Sequence, residues 1–568
     1  LTINLLLCTI NLIVQRQNGG TFPLNITSLI AHNRSSLAER YRLGDSEISE
    51  LFGKHPSHEQ HWVERAAQLD ESAGNRASLT HVAEALRSYQ ALLPYYAESA
   101  LSLEKLAQPG CLTVVGGQQA GLFGGALLIY YKAISVIQTA REAERRLGRP
   151  VVPVFWIAGE DHDFDEANHV NIQSAEGGIR RIRIERPEGP RQAVSRTSLT
   201  AQQWEAALQD LAVQLPDTEY KQGLLDRLQS HIKDAPSLSL AFARLLADWF
   251  GSQGLVLLDA DDPSLRALEG PMFRELIERN DELESALKVG EGDVLRRGFK
   301  LQAETAAGSA NLFLHHEQGR LLLHKEKDSF IDRKGNVSCT REQLLELTEQ
   351  GSEQLSTNAL TRPLMQDYVL PVLAAVLGPS ELAYWGILGP AFRTFGLSMP
   401  LLIPRQSFTY LETNITKLLD KYSISYEQAI HDWEAQRAAW LNEQDEWNLE
   451  EQFKHIKQQF QDLYRPIMGT VSSLQPGLAQ LTERNRDKIM EQITYLESKS
   501  MDAIAKQHEA SLRQWDRIHQ SLIPLDKPQE RVYGTIHFWN RYGPEWLALW
   551  AEVPYDMTGG QRVVEGLS

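Results

Sequence analysis

Apolar positions along the chain follow three regimes in turn. Between residues 35 and 107 they recur every three or four positions, as at Val82, Leu86, Tyr89 and Leu93, which predicts helices. From about 112 to 404, short solid runs of Val, Ile and Leu alternate with helical stretches. The runs at 112–115, 151–157, 254–258 and 400–404 read as buried strands, and 179–184 as a half-buried one. Helices are predicted at about 126–146, 201–213, 219–232, 237–251 and 263–280. The passage from 112 to 157 is strand, helix, Pro150, strand: a βαβ unit with parallel strands. Residues 290–340 hold short strands with turn residues, read as an insertion lying over the sheet.

Beyond 411 glycine almost disappears and the spacing becomes 4, 3, 4, 3: Leu449, Phe453, Ile456, Phe460, Leu463, Ile467. It restarts at Leu474, Leu478 and Leu481 and continues through Ile489, Ile493 and Leu496. So narrow a seam predicts two long helices, folded back at a break over 466–476 into an antiparallel coiled coil. The expected organisation is an α/β parallel-sheet core over 21–410, with insertions at about 160–250 and 285–360. A helical coiled-coil domain follows at 411–525. The segment 526–568 carries Tyr533, Phe538, Trp539, Tyr542, Trp546 and Trp550 and is expected to pack back on the core or the hairpin base. Residues 1–14 are apolar but lack a basic flank and a cleavage site, so 1–20 read as a leader or start-site artefact.

Composition narrows the function. A net charge of −17 over 568 residues argues against a nucleic-acid binder. No segment reaches the roughly 18 apolar residues of a membrane span. Cys8, Cys111 and Cys339 have no metal-ligand spacing, and three cysteines suit a reducing, cytoplasmic setting.

Two loops carry the candidate chemistry. GGQQAGLFGG at 116–125 joins a strand to a helix, where glycines permit close approach and a helix N-terminus attracts anions. Gly117, Gln118, Gln119, Gly121 and Gly124 are therefore substrate-binding candidates, although the loop is neither a Walker A motif nor GxGxxG. Lys132, two turns into the helix, reads as surface charge. GEDHDFDE at 159–166 supplies Glu160, Asp161, His162 and Asp163 as an acid–base set, with His162 as general base oriented by Asp161 or Asp163. His162, Asp163, Asp165 and His169 could also be metal ligands, but their spacing matches no established signature and no metal is expected. Trp156, Asp165 and His169 are further substrate contacts. Asp259 could bind a sugar hydroxyl or cap the helix at 263, and Arg362 could pair with Asp367. GPSE at 378–381 opens a helix with Ser380 as N-cap; Glu381 and Tyr384 follow, and Arg405 leaves the last strand as a cation for a carboxylate or phosphate.

GGQQAGLFGG, VPVFWIAGEDHDFDEANHV, LTRPLMQDYVLP, GPSELAYW, PLLIPRQSFT and RVYGTIHFWNRYGPEW resemble the bacillithiol biosynthesis cysteine-adding enzyme family. The resemblance implies a Rossmann-like core with connecting insertions and a coiled coil supporting a homodimer. It implies an amide-forming ligase that joins the cysteine carboxyl to the amine of glucosaminyl-malate. In that reaction Arg362 or Arg405 would hold a carboxylate and Glu381 the cysteine ammonium. A free carboxylate needs activation, so ATP or ADP is the expected nucleotide, at a site the sequence does not place. The HxGH and KMSKS signatures of synthetases that adenylate cysteine are missing. Two other readings stay open: a metal-dependent hydrolase built on GEDHDFDE, and a non-catalytic scaffold of the same pathway.

Overall fold

The structure is a computed structural model and describes residues 9–15, 21–29 and 35–565. Its centre is a sheet of five strands: β1 (Leu112–Gln118), β2 (Val151–Ile157), β3 (Val256–Asp259), β4 (Val372–Leu377) and β5 (Leu401–Pro404). They lie in the order β5-β4-β1-β2-β3, and every neighbouring pair is parallel. The chain thus winds outward from β1 in one direction and later returns to build the other side. Such doubly wound sheets open a ligand crevice where the winding reverses, here between β1 and β4. The strands are solidly apolar because both faces are covered; every residue of β2, β3 and β4 is buried.

Helix α1 (Leu127–Leu147) joins β1 to β2, carries Arg145 and Arg146 in its last turn, and stops at Gly148 in the left-handed conformation. Helix α2 (Pro263–Glu278) follows β3. Its N-cap is Asp262, whose carboxylate accepts the N–H groups of Ser264 and Leu265 at 3.0 and 3.2 Å, so the cap is not Asp259. Helix α3 (Arg362–Val369) leads into β4 and α4 (Pro379–Trp385) leaves it.

The insertion between β2 and β3 contains the hairpin His169–Gln173/Ile179–Arg183 and helices Ala201–Gln214, Lys221–Ile232 and Leu238–Phe250. Between β3 and β4, a helix at Asn280–Arg296 occupies the start of the region read as strands. A five-stranded sheet follows, its central strands Ser309–His316 and Gly319–Glu326 and one edge Leu355–Thr357. A further sheet orders Thr9–Gln15, Thr21–Ser28, Gly560–Glu565 and Gln406–Leu411. Of the segment read as a leader, 1–8 and 16–20 lie outside the described residues, and 9–15 form the outer strand of this sheet. The C-terminal aromatic segment packs on the core: Tyr130 donates to Leu547 O at 2.7 Å, and Trp550 meets Tyr131 with centroids 4.8 Å apart.

Residues Leu411–Asp526 form a separate compact unit. Its long helices are α5 (Leu449–Leu474) and α6 (Ala479–Gln507). Lys457 pairs with Glu497 and Tyr464 with Asn485, so partners descend one helix as they climb the other: the hairpin is antiparallel. The break predicted from Pro466 is displaced, since α5 runs through Pro466 and ends only at Leu474. Phe453 is buried, but Leu463, Ile467, Leu474 and Leu481 remain more than half exposed. The hairpin consumes only part of its apolar seam.

Candidate active site

The carboxyl ends of β1, β2 and β4 open into a cavity of about 410 Å³ at the winding reversal. Gly117, Gln118 and Gln119 enter from β1, and Glu160, Asp161 and His162 from the loop after β2. Arg362 comes from α3, Glu381 and Tyr384 from α4, and Arg405 from the end of β5. These ten candidates from five separate segments share one cavity.

Gln119 and Asp161 lock the two sequence loops together: the Gln119 amide donates to Asp161 Oδ2 at 2.5 Å. Asp161 Oδ1 accepts the main-chain N–H of His162 at 2.7 Å. Burial alone would raise the Asp161 carboxyl, but the Gln119 bond and the Arg320 charge carry it below its ordinary value. Glu160 is buried and fixed from behind, paired with Arg266 and accepting Thr357 Oγ1 at 3.1 Å. Arg266 also holds Glu269 at 2.6 Å, and Asp261 is held in turn by Arg196 at 2.7 Å. Desolvation pushes the Glu269 carboxyl up to about 7, the Arg266 charge opposing it.

The loop after β2 lays Gly159 against the side chain of Asp259, the last residue of β3. A Cβ built at Gly159 would meet the Asp259 carboxyl carbon at 2.6 Å, so only glycine fits the first position of GEDH. Asp259 is buried, and desolvation with the neighbouring Asp261 raises its carboxyl to about 8. It does not line the cavity; its carboxyl occupies the space beside Gly159.

Six candidates do not line the cavity. Trp156 points to the opposite face of β2 and is buried in the core. Gly121 and Gly124 serve a tight turn: a Cβ at Gly121 would reach Gly125 Cα at 2.6 Å, and one at Gly124 would overlap Trp249. The turn over 121–125 is buried and stays outside the cavity. Asp163 is half-buried and Asp165 exposed, and His169 Nδ1 lies 3.2 Å from Asp165 O. Among the described residues no group of three or more His, Cys, Asp or Glu side chains is arranged to hold a metal ion. The acidic cluster therefore gives the hydrolase reading no ligand set.

The structure adds residues the sequence did not reveal and reverses three readings. Lys132 is buried, not surface charge; its Nζ donates to Gly117 O at 2.6 Å, Gln118 Oε1 at 3.1 Å and Glu381 Oε2 at 2.5 Å. Burial lowers its amine, and the Glu381 carboxylate opposes that shift. Asp367 does not pair with Arg362: it is taken by Arg65 and Arg76, while Arg362 Nη2 donates to Tyr384 OH at 3.4 Å. Arg405 is spoken for by Glu530, with bonds of 2.9 and 2.6 Å. The N-cap of this helix is Gly378, not Ser380: Glu381 Oε2 accepts the Gly378 N–H at 2.8 Å, and Ser380, inside the helix, lines the cavity. Arg320, Phe313, Thr357 and Asn358 arrive from the inserted sheet and Arg531 from the C-terminal segment. Among the described residues neither Arg362 nor Arg531 has a carboxylate partner within 4.0 Å.

Fold and site together define a Rossmann-like α/β protein with a polar, cation-bearing small-molecule cavity at its winding reversal. Residues 24–406 match the description "Bacillithiol biosynthesis BshC, N-terminal Rossmann-like domain", and 408–565 match "Bacillithiol biosynthesis BshC, C-terminal coiled-coil domain". The chain belongs to the bacillithiol biosynthesis BshC family. It is 32% identical over 548 residues to a Bacillus licheniformis protein named "Putative cysteine ligase BshC", covering 95% of this chain and 100% of that one. A Geobacillus protein of the same name is 35% identical over 500 residues, covering 88% and 92%, and one from Bacillus cytotoxicus 33% over 467, covering 82% and 86%.

Proposed function

We propose that this cavity is the site of an amide ligation that joins the carboxyl of cysteine to the amine of glucosaminyl-malate, forming bacillithiol. The observation that carries the reading is the pair of cations without carboxylate partners, Arg362 and Arg531, on a cavity that also presents Glu160, Asp161, His162 and Glu381. Two such guanidinium groups suit the two carboxylates of a malate unit, which bidentate arginine recognition favours. Glu381, anchored by Lys132, offers a carboxylate to the cysteine ammonium. Arg405 neutralises Glu530 and shapes the wall.

ATP is the proposed activating co-substrate, because a free carboxylate does not form an amide at neutral pH unaided. Of the 116–125 loop, Gly117, Gln118 and Gln119 line the cavity and Gly121 and Gly124 do not. No step is assigned to ATP. The chain is proposed to act in the cytoplasm; Cys111 and Cys339 are free, and among the described residues no helix is long and apolar enough to cross a membrane. It is proposed to work as a homodimer through the hairpin, whose exposed apolar seam supports the pairing.

The test is reconstitution of the purified chain with cysteine, glucosaminyl-malate and ATP, with mass detection of bacillithiol and of AMP or ADP. Nucleotide-dependent product supports the reading. Absence of product with every nucleotide, while deletion of the gene still abolishes bacillithiol, would transfer support to the scaffold.

A further inference from the structure

His162 is the imidazole that sequence alone makes a general base, and its neighbours determine which nitrogen carries its proton. Nδ1 lies 3.2 Å from Arg320 Nη1, and a guanidinium can only donate. Arg320 is not free to turn away. Its Nε donates to Ser356 Oγ at 2.9 Å, its Nη2 to Thr357 O at 2.5 Å, and its guanidinium lies 3.7 Å from the Phe313 ring centroid. Asp161, the neighbour best placed to accept a proton from Nδ1, is engaged by the His162 main chain and by Gln119, and its Oδ1 lies 3.6 Å from Nδ1. The charged groups facing the imidazole are Arg320, Asp161, Asp163 and Arg191. Burial first, and the arginines after it, hold the ring below its ordinary pKa despite the two aspartates. Nε2 has no hydrogen-bond partner among the described residues, and the ring lines the cavity.

We propose that His162 serves as a neutral Nε2–H hydrogen-bond donor to an oxygen of the bound substrate, with Arg320 as the positioning residue that fixes this tautomer. A general base would need its lone pair on Nε2 and therefore a proton on Nδ1, directed at an N–H of Arg320. The lone pair instead faces Arg320 and the N–H is left for the ligand. A fixed donor of this kind stabilises a carbonyl oxygen as it gains charge. The proposal rests on the ligase reading only in naming that oxygen, the carbonyl of the cysteinyl group.

The experiment has two arms. In the first, the full chain is labelled with ¹⁵N-histidine, and long-range ¹H–¹⁵N spectra are recorded between pH 6 and 8, the His162 signals being those lost in His162→Gln. The expected result is the Nε2–H tautomer throughout. An Nδ1–H tautomer, or an imidazolium at pH 7, overturns the proposal. In the second arm, turnover is compared in His162→Gln, whose amide nitrogen can donate near the Nε2 position but cannot accept a proton, and in His162→Ala. A donor predicts kcat within about tenfold of wild type for the glutamine and a fall of roughly 10²–10³-fold for the alanine. Equal loss in both overturns it. Should the wild-type chain make no product, the ligase reading falls, and the spectrum alone then decides the tautomer.

Discussion

Replacing Gly159 by alanine adds a single methyl group, yet the structure gives that methyl no room. Its Cβ would stand 2.6 Å from Asp259 Cγ, about 1 Å inside the roughly 3.5–4.0 Å optimum for two carbon atoms. Asp259 cannot swing aside freely: it is buried, its Oδ1 accepts the Asp261 N–H at 2.9 Å, and β3 holds its backbone against β2. The loop after β2 must yield by about the missing ångström, and Glu160, Asp161 and His162 ride on it. Displacements of that size at reacting groups cost roughly 10²-fold in rate, and overpacking a dense interior costs about 1–3 kcal/mol. Gly159→Ala is therefore expected to lower kcat by about 10²-fold in the ligation assay, with a modest loss of stability by denaturant titration. Adding Asp259→Ala removes the obstructing carboxyl and should recover most of both losses, a coupling that a double-mutant cycle measures. A Gly159→Ala protein with normal turnover, or a double variant no better than the single, would refute the packing argument.

Three further outcomes follow from the same geometry. Lys132→Met strips a buried amine from Gly117 O, Gln118 and a Glu381 side chain only 23% exposed; a denaturant midpoint equivalent to about 2–4 kcal/mol lower is expected, with turnover reduced. Asp259, raised to about 8 when folded, stays protonated in the native state while its unfolded counterpart ionises near pH 4. Its stabilising contribution is thus complete below about pH 4 and lost as pH rises to 8, by up to about 1.4 kcal/mol per unit, and Asp259→Asn should flatten that slope in urea titrations across this window. Leu463→Glu with Ile467→Glu places charge on the exposed seam, and sedimentation should show a dimer becoming a monomer; an unchanged mass would remove the hairpin from the interface.

The parts of this architecture legible in the sequence are those encoded locally. Solid apolar runs located β1 to β3 and β5, a Pro/Gly boundary framed α1, and the 4, 3 stepping announced the hairpin. The two loops at the site were also legible, because a run of glycines and a run of acids at strand ends leave few structural uses. What escaped depends on distance along the chain. Lys132 looks like any charge on a helix until α1 is laid on the sheet and its amine falls beside Gly117. Arg320 reaches His162 from 158 residues away, on a strand whose pattern says only that it is a strand. The pairing of Arg362 with Asp367 failed for the same reason: Arg65 and Arg76, 302 and 291 residues distant, claim the aspartate first. Pro466 misled because a proline inside a long helix breaks it only when the remaining turns cannot hold, and α5 continues past it.

In the proposed function, glucosaminyl-malate is held in the cavity between β1 and β4 by the guanidinium groups of Arg362 and Arg531. Calorimetric titration of the sugar malate into the wild-type chain and into Arg362→Gln tests that claim without requiring turnover. Saturable one-to-one binding by the wild type, weakened roughly tenfold or more in the variant, is the expected result, about 1.4 kcal/mol for one charge-assisted contact. Equal affinity in the two proteins, or no binding by the wild type, would contradict it.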